Sequence, residues 1–192
     1  MTIFEAIKAG DVDGVRAVLR DDPSAVAARG DQGVSAVRAA LYAHRQDLAD
    51  AVLETGPDLD VFDAAAVGDS DRLAGLLDGD PNLVGAWSDD GFTPLHLAAF
   101  FGRGDAARLL LDRGAEVGAV ARNDMQVQPL HSAVAGGHRD IVAALLVAGA
   151  DANARQQGGL TPLMAAEQDE DAELVRLLMD HGAEESATAP TE

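Results

Sequence analysis

Thr93-Pro94-Leu95-His96-Leu97-Ala98-Ala99 decides the reading of this chain, because it occurs again. It returns 35 residues later as Gln128-Pro129-Leu130-His131-Ser132-Ala133-Val134, and 33 residues after that as Thr161-Pro162-Leu163-Met164-Ala165-Ala166. Each copy leads to a pair of apolar residues and then Gly-Ala: Leu110-Leu111 with Gly114-Ala115, Leu145-Leu146 with Gly149-Ala150, Leu178-Met179 with Gly182-Ala183. A repeat of this length is one supersecondary unit that cannot bury its apolar face alone, so copies must stack.

The N-terminal half carries a longer duplication. Phe4, Ala6, Gly10-Asp11, Leu19, Asp22-Pro23 and Gly33 reappear 58 residues on as Phe62, Ala64, Gly68-Asp69, Leu77, Asp80-Pro81 and Gly91. Started at Met1, Ser35, Leu59, Thr93, Gln128 and Thr161, six copies stay in phase. Five residues after each start stands alanine (Ala6, Ala40, Ala64, Ala98, Ala133, Ala166), which lets neighbouring helices approach closely. Twelve residues after each start stands an acid (Asp13, Asp47, Asp71, Asp105, Asp140, Glu173). Those carboxylates belong at the amino end of each second helix, where the helix dipole favours them, and are structural.

These motifs resemble the ankyrin repeat, with its Thr-Pro-Leu-His signature and period near 33. The resemblance implies an all-α ankyrin-repeat solenoid of about six helix-turn-helix repeats with short β-turn fingers. Residues 1–185 form one array, with repeats at about 1–30, 31–58, 59–88, 89–122, 123–155 and 156–185, and residues 186–192 form a flexible tail. Two irregularities are expected. The step from Ser35 to Leu59 is only 24 residues, so no finger follows Gly56-Pro57-Asp58. Two extra residues precede Pro129, so the finger at Asn123-Asp124-Met125-Gln126 is longer.

Composition bounds the function. With 33 acids against 14 bases the net charge is −19, which repels nucleic acid and anionic lipid and favours a basic partner. There is no cysteine, hence no disulfide, thiolate nucleophile or Cys-ligated metal. Met1-Thr2-Ile3-Phe4-Glu5-Ala6 is no secretory signal, and no apolar run is long enough to span a bilayer, so the expected compartment is the cytoplasm. P-loop, nucleophile-elbow, zincin and complete calcium-loop patterns are missing, and the chain is read as a non-enzyme without cofactor or metal. By the resemblance, His96 and His131 tie the turn of one repeat to its neighbour, and His138 is structural too.

What remains is binding. Family partners lie across the concave face, built from fingertips and the exposed positions seven and eight after each start. Here those positions hold Lys8-Ala9, Tyr42-Ala43, Ala66-Val67, Phe100-Phe101, Ala135-Gly136 and Gln168-Asp169. Trp87 takes the column of Arg29, Arg122 and Arg155, and Phe92 lies beside Asp89 and Asp90. The expected partner surface is therefore Tyr42, Trp87, Asp89, Asp90, Phe92, Phe100, Phe101, Arg122, Asp124, Met125 and Arg155, since exposed aromatics beside arginine make interface anchors. The alternative is that Phe92 or one of Phe100 and Phe101 packs between repeats. The function expected is a monomeric scaffold or adaptor for another protein. A sharper version neutralises a basic protein as an antitoxin does; a small-molecule binder or enzyme is the competing class.

Overall fold

A short polar side chain opens five of the six first helices. In the computed structural model, which describes residues 1–184, Thr2, Ser35, Asp60, Thr93 and Thr161 each accept a hydrogen bond from the backbone N–H three residues on. This satisfies a donor that the helix leaves without a partner. Proline follows at once in Pro94, Pro129 and Pro162, where its missing N–H loses nothing. The expected tail at 186–192 lies outside the described residues.

The helices are Ile3–Ala9 (α1), Val12–Asp21 (α2), Ala36–Tyr42 (α3), Gln46–Leu53 (α4), Val61–Val67 (α5), Ser70–Gly79 (α6), Pro94–Phe100 (α7), Gly104–Asp112 (α8), Pro129–Ala135 (α9), Arg139–Val147 (α10), Pro162–Gln168 (α11) and Ala172–Asp180 (α12). They form six consecutive pairs. The first helices stack on one another as an inner layer, each against the next, and second helices pack behind them. Among the described residues no strand forms, only an isolated bridge between Arg29 and Ser35. The alanine column is wholly buried, as are Leu95, Leu110, Leu130, Leu145, Leu163 and Leu178, so the core is a continuous seam of Ala and Leu. The acid column occupies the first turn of every second helix, as its charge favours.

One column has a single backbone solution and two chemistries. Nine residues after each start the chain turns left-handed, at Gly10, His44, Gly68, Gly102, Gly137 and Glu170, with φ between 50 and 90° (54° at His44, 85° at Gly68). Four of the six are glycine, which adopts this conformation without strain. The next residue is either an acid capping the second helix (Asp11, Asp69, Asp171) or a base reaching back to the preceding repeat. Arg45 donates to Gly10 O at 3.2 Å, Arg103 to Ala66 O at 2.9 Å and His138 Nε2 to Phe100 O at 3.0 Å.

Four fingers project. Each is closed by a backbone bond: Gly30 to Val34 O, Ser88 to Phe92 O, Ala121 to Val127 O and Gln156 to Leu160 O. The third loop contains the two extra residues, and Gln126 takes the left-handed position at φ 50°. Between α4 and α5 the chain crosses directly, without a finger. The fingers on either side of that gap therefore meet: a Cβ at Gly33 would collide with the Asp89 carboxylate.

Gln128 is the exception among the caps. Its Oε1 is buried without a hydrogen-bond partner, in the column that holds threonine in the flanking copies. Restoring the short cap in Gln128→Thr should raise unfolding free energy by about 1 kcal/mol, read from the urea midpoint at constant m-value. An unchanged or lower midpoint would show that packing of the amide stem matters more.

Candidate functional site

The column three residues after each start sets up the site. It holds Phe4, Arg38, Phe62, His96, His131 and Met164. In the fourth and fifth copies imidazole does what the resemblance implies. His96 Nδ1 accepts from the backbone N–H of Thr93 at 3.2 Å, and Nε2 donates to Val127 O in the next finger at 3.1 Å. His131 repeats the pattern from Gln128 N–H to Ala154 O. Burial pushes His96 down to about 4 and lowers His131 too, so both rings are neutral ties between fingers and helices. Phe4 and Phe62 pack against the core while half-buried.

In the second copy the column holds Arg38, buried at 2% exposure. Its Nε donates to Asp63 Oδ1 at 2.9 Å and its Nη1 to Asp90 Oδ1 at 3.1 Å. Ser35 Oγ donates to Asp63, Ser88 Oγ to Asp90, and Tyr42 OH to Asp90 Oδ2 at 2.9 Å. Burial disfavours the Arg38 charge, but Asp63 and Asp90 outweigh it and hold the guanidinium above its ordinary value. Burial, then Asp60, raises the Asp63 carboxyl against the pull of Ser35 and Arg38. Burial and the Asp90 carboxylate drive the Tyr42 phenol well above its usual range.

Asp90 therefore corrects the expected surface. It is 8% exposed and spent on internal partners, because the missing finger lets its own finger fold down onto Arg38. Ala66, expected to be exposed, is buried. Ala66 stands in the third copy, between the copies that carry Tyr42 and the Phe100-Phe101 pair, and those rings meet directly. Tyr42 meets Phe101 at 5.3 Å and Phe100 at 6.4 Å between ring centroids, and the two phenylalanines meet edge-on at 5.1 Å. Phe101 and Phe92 pack partly into the core, so the alternative of inter-repeat packing holds in part for them. Trp87 is half-buried: the Arg122 guanidinium stacks 4.3 Å from its ring centroid and His96 lies 6.1 Å away. Asp89, Arg122, Asp124, Met125 and Arg155 are exposed.

These elements enclose a groove of roughly 380 Å³ between the inner helices and the fingers. Tyr42, Phe92 and Phe100 form one side, Met125 and Val127 the finger side, and Leu97, Ser132 and Ala135 the helix surface. Trp87 does not line it. Met125, at the tip of the enlarged finger, is 52% exposed and is the groove's most accessible large apolar side chain. The groove is thus built from half-buried rings and one flexible thioether around neutral polar atoms, a surface suited to holding an apolar side chain.

The sequence reading missed Arg38, Asp63, Ser35 and Ser88. The signal was a cation in a column that elsewhere holds rings or methionine.

The family model described as ankyrin repeats (3 copies) matches residues 61–156 and 130–189. An ankyrin repeat-containing protein of Treponema pallidum is 38% identical over 121 residues, covering 58% of this chain and 40% of that protein. The rat ankyrin repeat and SAM domain-containing protein 6 is 36% identical over 128 residues, 62% of this chain and 14% of its own length. The rice E3 ubiquitin-protein ligase XB3 is 44% identical over 100 residues, 52% of this chain and 21% of its own length. The chain thus spans less than half of each of these curated relatives. No helix of the described residues is long and apolar enough to cross a membrane.

Proposed function

Because the chain belongs to the ankyrin-repeat family, whose repeats are generally protein–protein interaction modules, we propose that it binds a partner protein on its concave face, at the groove between α7, α9 and the enlarged finger. The observation that carries this reading is the coincidence of Met125, Phe100 and Tyr42 around one apolar recess. Two of the three stand at irregular points of the array, the enlarged finger and the copy before the gap. The proposed surface keeps Tyr42, Phe92, Phe100 and Met125 as anchors, with Asp89, Arg122, Asp124 and Arg155 as its charged rim. Trp87 and Phe101 support it from behind. The role is that of a scaffold or adaptor rather than an enzyme, and the acidic charge favours a basic partner through steering.

The test combines location with energy. A photo-reactive phenylalanine analogue replacing Met125 should give covalent adducts in producing cells, whereas the same analogue replacing Val147 on α10 should not. The partner so identified should bind Phe100→Ala at least about tenfold more weakly, since 1.4 kcal/mol is tenfold. Adducts from position 147 alone, or full affinity in Phe100→Ala with intact stability, would move the site off the concave face.

A further inference from the structure

The groove is not a single recess. Tyr42, Phe92 and Met125 also line a second compartment of roughly 320 Å³, completed by Gln32, Val34, Asn123 and the carboxylates Asp90 and Asp124. The two compartments thus adjoin along these three side chains. Their chemistry differs. The first is lined by no aspartate, glutamate, lysine or arginine, so a charged group entering it would lose hydration without gaining a counter-charge. The second contains two carboxylates and no cation.

Hydrogen bonding makes the second compartment a place for a donor. Tyr42 OH donates inward to Asp90 Oδ2 at 2.9 Å, and Asn123 Nδ2 donates to Asp90 O at 3.0 Å. Those two donors are therefore already engaged, while the exposed Asp124 carboxylate has no ion-pair partner among the described residues. Nearby cations do not neutralise the wall. Arg38 and Arg29 together face three carboxylates, Asp60, Asp63 and Asp90, leaving one acid in excess. Arg29 is paired with Asp60 at 3.1 Å and with Asp63 at 3.8 Å, and Arg122, which keeps its charge, is held over Trp87 and forms no ion pair with Asp124. Asp89 adds an exposed carboxylate on the same finger.

We infer that the occupant of this groove is a peptide segment that seats an apolar side chain between Phe100, Met125 and Ala135 and, about two positions away, a lysine or arginine in the adjoining compartment against Asp124. The inference deepens the concave-face reading and rests on it. An extended chain rises about 3.3 Å per residue and turns alternate side chains to one face, so side chains about two positions apart enter adjoining compartments on that face. An acidic segment meets uncompensated carboxylates, and a purely apolar one leaves Asp124 facing it unpaired.

The experiment uses the full chain, immobilised, and a library of randomised twelve-residue peptides on phage. Enriched sequences should share an apolar residue with a lysine or arginine about two positions away. One enriched peptide, fluorescently labelled, should bind Phe100→Ala and Met125→Ala about tenfold more weakly. It should bind Asp124→Asn several-fold more weakly, with a flatter salt dependence. Replacing its base by glutamine should reproduce the Asp124→Asn loss, and the two losses should not add. Met125→Ala, at an exposed fingertip, keeps the test sound if Phe100→Ala unfolds. Peptides lacking a base yet sensitive to Phe100→Ala or Met125→Ala would overturn this inference and leave the groove standing. Peptides indifferent to all three variants would overturn both. No enrichment over bare support would overturn the inference.

Discussion

Arg38→Ala should lose about 3–5 kcal/mol of unfolding free energy, the cost of leaving buried charges without their partner. A domain of this kind commonly has about 5–15 kcal/mol in total, so the variant should be partly unfolded at 37 °C. Asp63 and Asp90 are 3% and 8% exposed, and the guanidinium is the cation that reaches both. Arg38→Lys should rescue little, because an ammonium cannot present separate N–H groups to two carboxylates as the planar fork does. Adding Asp63→Asn and Asp90→Asn to Arg38→Met should recover much of the loss, since the stranded charges disappear with the cation. Arg139→Ala supplies the contrast: its pair with Asp171 is geometrically good at 2.9 Å, but the arginine side chain is 49% exposed and screened by water, and its loss should be far smaller than that of Arg38→Ala. Urea titrations of the five variants give the comparison. A loss below about 1 kcal/mol in Arg38→Ala would mean that water replaces the guanidinium and the cluster is not closed.

The second large effect is a loss of stability in mild acid, centred on His96. Its folded value, about 4, lies below the ordinary 6.5 because burial disfavours the imidazolium, so the unfolded chain binds the extra proton between those limits. Stability contributed by the neutral ring is complete above pH 6.5, falls as pH drops, and is fully lost below about 4. The difference between the two values corresponds to a loss on the order of 3 kcal/mol, to which His131, shifted the same way, adds. Falling pH also relieves self-repulsion in a chain of net charge −19, which acts in the opposite direction. The clean measurement is therefore a difference: urea midpoints of the wild type and of His96→Gln between pH 4.5 and 7.5. The two should converge as the pH falls. NMR should show the His96 ring as the Nε2–H tautomer throughout most of that range. Titration of that ring near 6.5 would remove the basis of the prediction.

The architecture was legible because its determinants are local and repeated. Ala6, Ala40, Ala64, Ala98, Ala133 and Ala166 mark one helix face, and Thr93-Pro94 and Thr161-Pro162 mark a cap followed by a first turn. The 24-residue step from Ser35 to Leu59 disclosed the absent finger by arithmetic alone. Within the candidate site, exposure was legible only where a column is exposed by construction, as at Asp124 and Met125. Asp90 was misread because fingertip acids ordinarily face water, and its burial depends on a contact 52 residues away with Arg38. Likewise, Phe100 and Phe101 came out half-covered because Tyr42, two copies earlier, packs against both. Sequence spacing within one copy carries no information about side chains from copies that are not adjacent. The unmatched cation in the column of His96 was the one available clue.

Arrays of stacked repeats are ordinarily described as linear chains in which each unit is coupled only to the units before and after it. Arg38 breaks that description. From the second repeat it grips Asp63 in the third and Asp90 in the fourth, and Tyr42 does likewise with Asp90 and Phe101. The segment from Ser35 to Phe101 is thereby bound into one cooperative block, in which the third repeat cannot open without breaking bonds that belong to its two neighbours. The first repeat has a half-exposed tie of the same kind, from Arg29 to Asp60 and Asp63 in the third, whereas among the described residues the last repeat has none and opens at lower free energy. Subglobal opening should run inward from the C-terminal end and stop at this block, so the proposed groove has one wall, Tyr42 and Phe92, on the least yielding part of the chain and the other, Met125 and Ala135, on a part free to breathe.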